Sequence, residues 1–344
     1  MAAYTTINKP SLHFNPKVYT GGSGNTAQTG LGFQPDFVWI KEQGRTRNHA
    51  WFDVIRGPRY WLGSNSSDAQ DYNSGAYLVS FDSDGFTTTD TDVVGKNGYT
   101  YASWNWKAGG TGSANSDGAT ASTVSVNNTA GFSIVKWQGT SGNTTVGHGM
   151  NTAPVFTIVK NYSSGGQNWI VYHKNISPSH AVKLNTTAAK DDSNNYWQST
   201  APTNSLLTFT GGTASNANDD NMIGYCFSEI RGYSKFGAYQ GNNNADGTFV
   251  YTGFKPAFVI IKITSGTDGW MLFDNARNPS NVINKYMTAN GTGSDSTRDS
   301  IDFVSNGFKL RVANGDCNNG SYIYAAWAEN PLVDSTGKIP ATAR

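Results

Sequence analysis

The sequence is poor in the groups that most chemistry needs. Its only two cysteines, Cys226 and Cys317, fall far apart in the chain, which excludes a disulfide framework and leaves them as reduced thiols. Charged residues make up 14% of the chain, and 25 basic against 24 acidic side chains form no local run of either sign. That balance excludes the basic stripe needed to bind a nucleic-acid backbone. No apolar run approaches the roughly 18 residues of a membrane span, and the N-terminal residues lack a signal-peptide core, so a soluble chain with no membrane insertion is expected. No stretch carries apolar residues at helical spacing through several turns, so little helix is expected.

Catalytic signatures are missing too. There is no Gly-x-Ser-x-Gly elbow, no glycine-rich phosphate loop, no His-Glu-x-x-His and no Cys-x-x-Cys. Of the five histidines, His173 and His180 are neighbours in sequence, yet a surface or turn role suits them better than metal ligation. Two carboxylate pairs invite a depolymerase reading. Asp191 and Asp192 are adjacent and would point to opposite faces of a strand, and Asp82 flanks the Asp84-Gly85 turn, where aspartate serves the backbone. The expectation is a protein that is not an enzyme and carries no cofactor, with Ca²⁺ as the one ion to consider.

What the chain does have is 39 glycines, many Asn, Ser and Thr, and 13% aromatic residues, a balance that suits short strands joined by polar turns. One stretch recurs three times: Pro35-Asp36-Phe37-Val38-Trp39-Ile40-Lys41, Pro154-Val155-Phe156-Thr157-Ile158-Val159-Lys160 and Pro256-Ala257-Phe258-Val259-Ile260-Ile261-Lys262. A proline sets the start, β-branched and aromatic residues make a strand, and a lysine reads as its solvated end. The apolar alignment of Trp39, Ile158 and Ile260 marks it as a core strand.

Aromatic markers keep nearly constant offsets. Tyr19, Trp137 and Tyr239 lie 118 and 102 residues apart, Trp51, Trp169 and Trp270 lie 118 and 101 apart, and Trp104, Phe227 and Trp327 lie 123 and 100 apart. The reading is all-β: three tandem antiparallel β-sandwich, jelly-roll-like modules of about eight strands, each with its own small core. Repeat one spans 1–109, a Gly/Ser/Asn-rich linker 110–130, repeat two 131–231, and repeat three with a C-terminal tail 232–344. Trp51, Trp104, Trp169, Phe227, Trp270 and Trp327 are the expected structural anchors. In the closing strand, Ile323, Ala325 and Trp327 should face one way and Tyr322, Tyr324 and Ala326 the other.

Function is then sought in the loops. Tyr196 and Trp197, in a polar insertion with Asp192 and Asn194, form a glycan-binding candidate, since a pyranose offers an apolar face and a rim of hydroxyls. Trp106, aligned with Glu229 and Glu329, is a second candidate for an exposed aromatic. Asn216, Asp219 and Asp220, just before a closing strand, could supply oxygen ligands to Ca²⁺, although turn formation explains the same residues.

The runs Tyr101-Ala102-Ser103-Trp104-Asn105-Trp106-Lys107-Ala108-Gly109-Gly110, Ala130 to Val135, Trp169 to His173, Gly232 to Gly237, and Tyr322-Ile323-Tyr324-Ala325-Ala326-Trp327-Ala328-Glu329-Asn330-Pro331 resemble a repeat-built family of virion proteins of marine tailed bacteriophages. The resemblance extends from Tyr4 to Pro331 and carries over no catalytic residues. It implies a virion structural protein assembled in the bacterial cytoplasm, in contact with other virion proteins. A tail-fibre or spike adhesin touching host surface polysaccharide is the first expectation. A capsid-decoration, head-fibre or tail-assembly protein is the alternative, since no coiled-coil or collagen-like shaft is present. Phage appendages are commonly three-fold symmetric, which suggests a homo-oligomer, specifically a trimer.

Overall fold

The computed structural model describes residues 4–75, 77–191 and 196–337. Among the described residues nearly all regular structure is antiparallel β, with one four-residue helix, Thr213–Asn216, and one 3₁₀ turn, Pro10–Leu12. The three proline-led stretches are strands Phe37–Glu42, Phe156–Asn161 and Phe254–Ile263, each buried along its whole length. In the third, the strand begins before Pro256, which sits at a shift of register where its missing N–H is tolerated.

Each proline-led strand lies between the same two partners. A closing strand (Thr100–Trp106, Asn221–Phe227, Ser321–Pro331) flanks it on one side and a return strand (Ala50–Asp53, Ile170–His173, Trp270–Asp274) on the other. A lead strand (Phe14–Thr20, Phe132–Gln138, Ser234–Gln240) pairs outside the closing strand. These inner sheets are covered by outer strands. In the first repeat they form a three-stranded sheet, in the second a two-stranded one, and in the third the same eight-stranded sheet curls over.

Alternation then divides the apolar side chains. Val38, Ile40, Phe52 and Tyr101 turn outward to a core of the first repeat alone, and equivalent outer cores lie in the second and third. Phe37 and Trp39, Phe156 and Ile158, and Phe258 and Ile260 turn the opposite way and meet in one cluster shared by all three repeats. The expectation of a separate core in each repeat is therefore half the arrangement, because the largest apolar cluster belongs to none of them singly. The closing strand behaves as expected, with Ile323, Ala325 and Trp327 in the shared core and Tyr322, Tyr324 and Ala326 in the outer one.

Residues 110–130, expected to be a linker, contain two strands. Ser122–Asn127 pairs with the lead strand Phe132–Gln138, and Ser113–Asn115 pairs with it in turn. Ser113–Asn115 forms the edge with small side chains, while Ser122–Asn127 turns Val124 and Val126 into the outer core of the second repeat. The markers also need correction by register. Trp39 lies opposite Trp51 and Trp104, Ile158 opposite Val171 and Tyr225, and Ile260 opposite Leu272 and Ala325. Two residues back along the return strand, the partner of Trp169 and Trp270 is therefore His49, not Trp51. Phe37, Phe156 and Phe258 lie opposite Trp106, Phe227 and Trp327, so Trp106 is the counterpart of Phe227, not of Glu229.

Candidate functional site

The inward-facing rows stack three layers deep, and the outer two layers are polar. At one end, two residues beyond Trp39, Ile158 and Ile260, the same face carries Lys41, Lys160 and Lys262. All three are fully buried, which overturns the expectation of a solvated strand end. A charge in that position needs acceptors. Lys160 Nζ donates to Ser67 O at 2.9 Å and Gln167 O at 2.5 Å, and Lys262 Nζ to Thr187 O at 2.8 Å and Asp268 O. In both, one carbonyl belongs to the preceding repeat. Lys41 Nζ reaches Glu42 O at 2.7 Å within its own repeat. Burial holds each ammonium down to about 8.

Beside the lysines, ring nitrogens make the same kind of tie. Trp169 Nε1 donates to Gly63 O and Ser66 O, both at 3.0 Å, and Trp270 Nε1 to Lys183 O at 2.9 Å. His49 takes that role in the first repeat. Its Nδ1 accepts from Trp39 Nε1 at 2.8 Å, so Nε2 carries the proton and donates to Thr288 O of the third repeat at 3.1 Å. Burial pushes the His49 imidazole well below its usual value, which keeps it neutral.

The other end holds Asp53, His173 and Asp274, opposite Phe37, Phe156 and Phe258. Tyr225 Oη donates to Asp53 Oδ2 at 2.7 Å, joining the second repeat to the first, and Trp104 Nε1 donates to Asp274 Oδ2 at 3.2 Å, joining the first to the third. Ala325 cannot make the third link. There His173 Nε2 donates instead to Tyr324 O at 3.2 Å, while its Nδ1 accepts from Asn175 N at 3.1 Å. Asp53 and Asp274 are neutralised locally by Arg56 and Arg277, each with Nε at 2.6 Å. The links close a ring through all three repeats; each donor reaches the repeat before its own except His173, which donates from the second repeat to the third.

His173 is thus fully buried, not a surface or turn residue, and both of its ring nitrogens are engaged. Burial brings it down to about 4. All six expected anchors, Trp51, Trp104, Trp169, Phe227, Trp270 and Trp327, are at most 3% exposed and lie in the shared core. Parity could have revealed the lysine row: Lys41 stands four residues from Phe37 on an alternating strand and so must share its face.

The loop candidates fare differently. Trp197 is 2% exposed and packs against Phe209 and Tyr172 with ring centroids 5.5 and 5.8 Å away, so it offers no face to a sugar. Its indole belongs to the outer core of the second repeat. Trp106, at 1% exposed, lies in the shared core against Phe14 and Phe37. Tyr196 lines an open polar cleft of about 520 Å³ with Gln167, Asn168, Thr210 and Thr213. Asp192 and Asn194 lie outside the described residues.

The candidate calcium ligands serve turns. Asn216 Oδ1 accepts from Thr140 N at 3.2 Å, and its Nδ2 donates to Gly142 O at 2.7 Å. Asp220 Oδ2 accepts from Asn161 Nδ2 at 2.8 Å and Ser164 Oγ at 2.7 Å, and Asp219 Oδ2 accepts from its neighbour Asn218. No group of three or more His, Cys, Asp or Glu side chains placed to hold a metal occurs among the described residues. Asp82 accepts from Ser80 and Thr87, and Asp84 from the Gly30 and Gly32 amides, as turn aspartates do. No helix among the described residues is long and apolar enough to cross a membrane.

Residues 9–331 match the family model described as Domain of unknown function (DUF7483). No curated protein and no solved structure matches the chain.

Proposed function

We propose that this chain, which belongs to the DUF7483 family, is a non-enzymatic structural protein of a bacteriophage virion. The observation that carries this reading is the employment of its buried polar groups. Lys160, Lys262, His49, His173, Asp53 and Asp274 each meet a partner in another repeat, so the groups best suited to acid–base work serve to lock the body. The two thiols are equally withdrawn: both are buried, and burial pushes Cys226 up to about 12. A rigid closed body with its chemistry turned inward suits a building block. The phage resemblance of the closing strands supplies the kind of particle.

Three repeats of one chain already provide the three-fold arrangement that a homotrimer would give, which supports one copy per three-fold position. A host-contacting adhesin is the second reading, favoured by the polar cleft at Tyr196. The test is proteomic analysis of purified particles of a phage encoding this chain, followed by cryo-EM. Stoichiometric presence, with three-lobed density on capsid or tail, is expected. A chain abundant in infected cells and missing from purified particles would overturn the proposal.

A further inference from the structure

Away from the shared core, one surface cleft of about 390 Å³ brings aromatic rings and cations together where the second repeat passes into the third. The strand Phe249–Tyr251 turns Val250 into the outer core and leaves Phe249 and Tyr251 on the outside, 46% and 54% exposed. A tyrosine ring this exposed on a short strand presents a flat apolar face to solvent. Tyr4 stands beside it and donates from Oη to Gly253 O at 2.6 Å.

Gly253 shapes the floor. Its φ is +83°, and a Cβ there would stand 2.8 Å from Tyr4 Oη and 3.5 Å from Tyr251 Oη. The two hydroxyls therefore converge above a position where only glycine fits. Burial, and then the hydrogen bond with Tyr251, push the Tyr4 hydroxyl up to about 12, so it stays a donor.

The charge of the cleft is one-sided. Glu229 is held between Lys174 and Lys235, so that trio carries one net positive charge. Arg231 lies with its guanidinium 4.4 Å above the Tyr4 ring and forms no ion pair among the described residues. An arginine held over an aromatic ring loses less freedom on binding than a free one, and its planar fork matches a carboxylate. A flat exposed ring, a preset guanidinium fork and a surplus of positive charge in a cleft of ligand size are complementary to a sugar bearing a carboxylate.

We infer that the cleft formed by Tyr4, Arg231 and Tyr251 binds uronic-acid units of an acidic polysaccharide, the sugar ring lying on Tyr251 and its carboxylate on Arg231. This goes beyond the structural role, and it stands or fails without reference to whether the chain is found in particles. The test is titration calorimetry of the full chain with oligogalacturonate and, as the neutral comparison, maltohexaose. The wild type should bind oligogalacturonate with affinity that falls as salt rises, and maltohexaose about tenfold more weakly or not at all. Arg231→Gln and Tyr251→Ala, checked by unchanged thermal melting, should each weaken oligogalacturonate binding by about tenfold. Tyr251→Ala removes an exposed ring and keeps the test alive if Arg231→Gln disturbs folding. No binding by the wild type, equal affinity for the neutral oligosaccharide, or full binding by both variants would overturn the assignment.

Discussion

Tyr225→Phe removes the hydroxyl that joins the second repeat to the first, its 2.7 Å bond to Asp53 and the longer 3.5 Å contact from Arg56 Nη2, without changing the ring. The hydroxyl and Asp53 are both fully buried, 2.7 Å apart, and lie in different repeats. After the substitution Asp53 keeps Ile55 N at 3.1 Å, Arg56 N at 2.9 Å and Arg56 Nε at 2.6 Å but loses the Tyr225 hydroxyl, one of its four donors. A hydrogen bond to a charged group contributes about 1.5–3 kcal/mol. Unfolding entropy of about 2.1 cal/mol/K per residue converts that loss into a fall in Tm of about 2–4 °C if all 344 residues unfold together. The same loss would lower the melting of a lone repeat of about 100 residues by about 7–14 °C. Circular dichroism and tryptophan fluorescence should give one coincident, slightly shifted curve. Paired with Asp53→Asn in a double-mutant cycle, the coupling should exceed about 1 kcal/mol. A loss below about 0.5 kcal/mol, or a large shift seen in only part of the signal, would mean that this bond does not hold the two repeats together.

Three further outcomes follow from the same geometry. Lys41, Lys160 and Lys262, held down to about 8 in the fold, cost stability below that pH; from about 8 toward 10.5 the unfolded chain binds more protons than the folded one, so stability should rise. Above 10 the sign reverses, because burial holds Tyr101 and Tyr162 up to about 12, so urea titrations should show a maximum between pH 9 and 10, and a steady decline from pH 8 would contradict this. Trp197→Ala should cost about 3–5 kcal/mol in denaturant unfolding, as a buried indole does, whereas an unchanged midpoint would return it to the surface. Asn216→Ala should cost about 1–3 kcal/mol through orphaned turn groups, and EDTA should leave the wild-type Tm unmoved; a chelator-induced fall would restore the calcium reading.

Strand identity and facing were legible in the sequence because a period of two shows in residue type. Tyr322, Tyr324 and Ala326 were separable from Ile323, Ala325 and Trp327 on that basis alone. Where the strands sit relative to one another was not. Matching indole to indole paired Trp51 with Trp169, but the ladder puts His49 there, since the site asks for a buried N–H aimed at a carbonyl and imidazole supplies one as well as indole. Lysine at a strand end reads as solvated unless another repeat's carbonyls are known to be near, and Ser67 lies 93 residues from Lys160. Within 110–130, Val124 and Val126 alternate with polar residues and pack into the outer core of the second repeat, whereas the edge strand Ser113–Asn115 has no bulky side chain to reveal it. The candidate cleft drew Tyr4, Arg231 and Tyr251 from three separate stretches, none with a local motif.

The shared core and the ring of links should make the three repeats one cooperative body. Differential scanning calorimetry measures this directly. A single transition with a calorimetric enthalpy equal to the van't Hoff enthalpy is predicted. Two or three resolved transitions, or a calorimetric enthalpy about three times the van't Hoff value, would mean that the repeats melt independently and would contradict it.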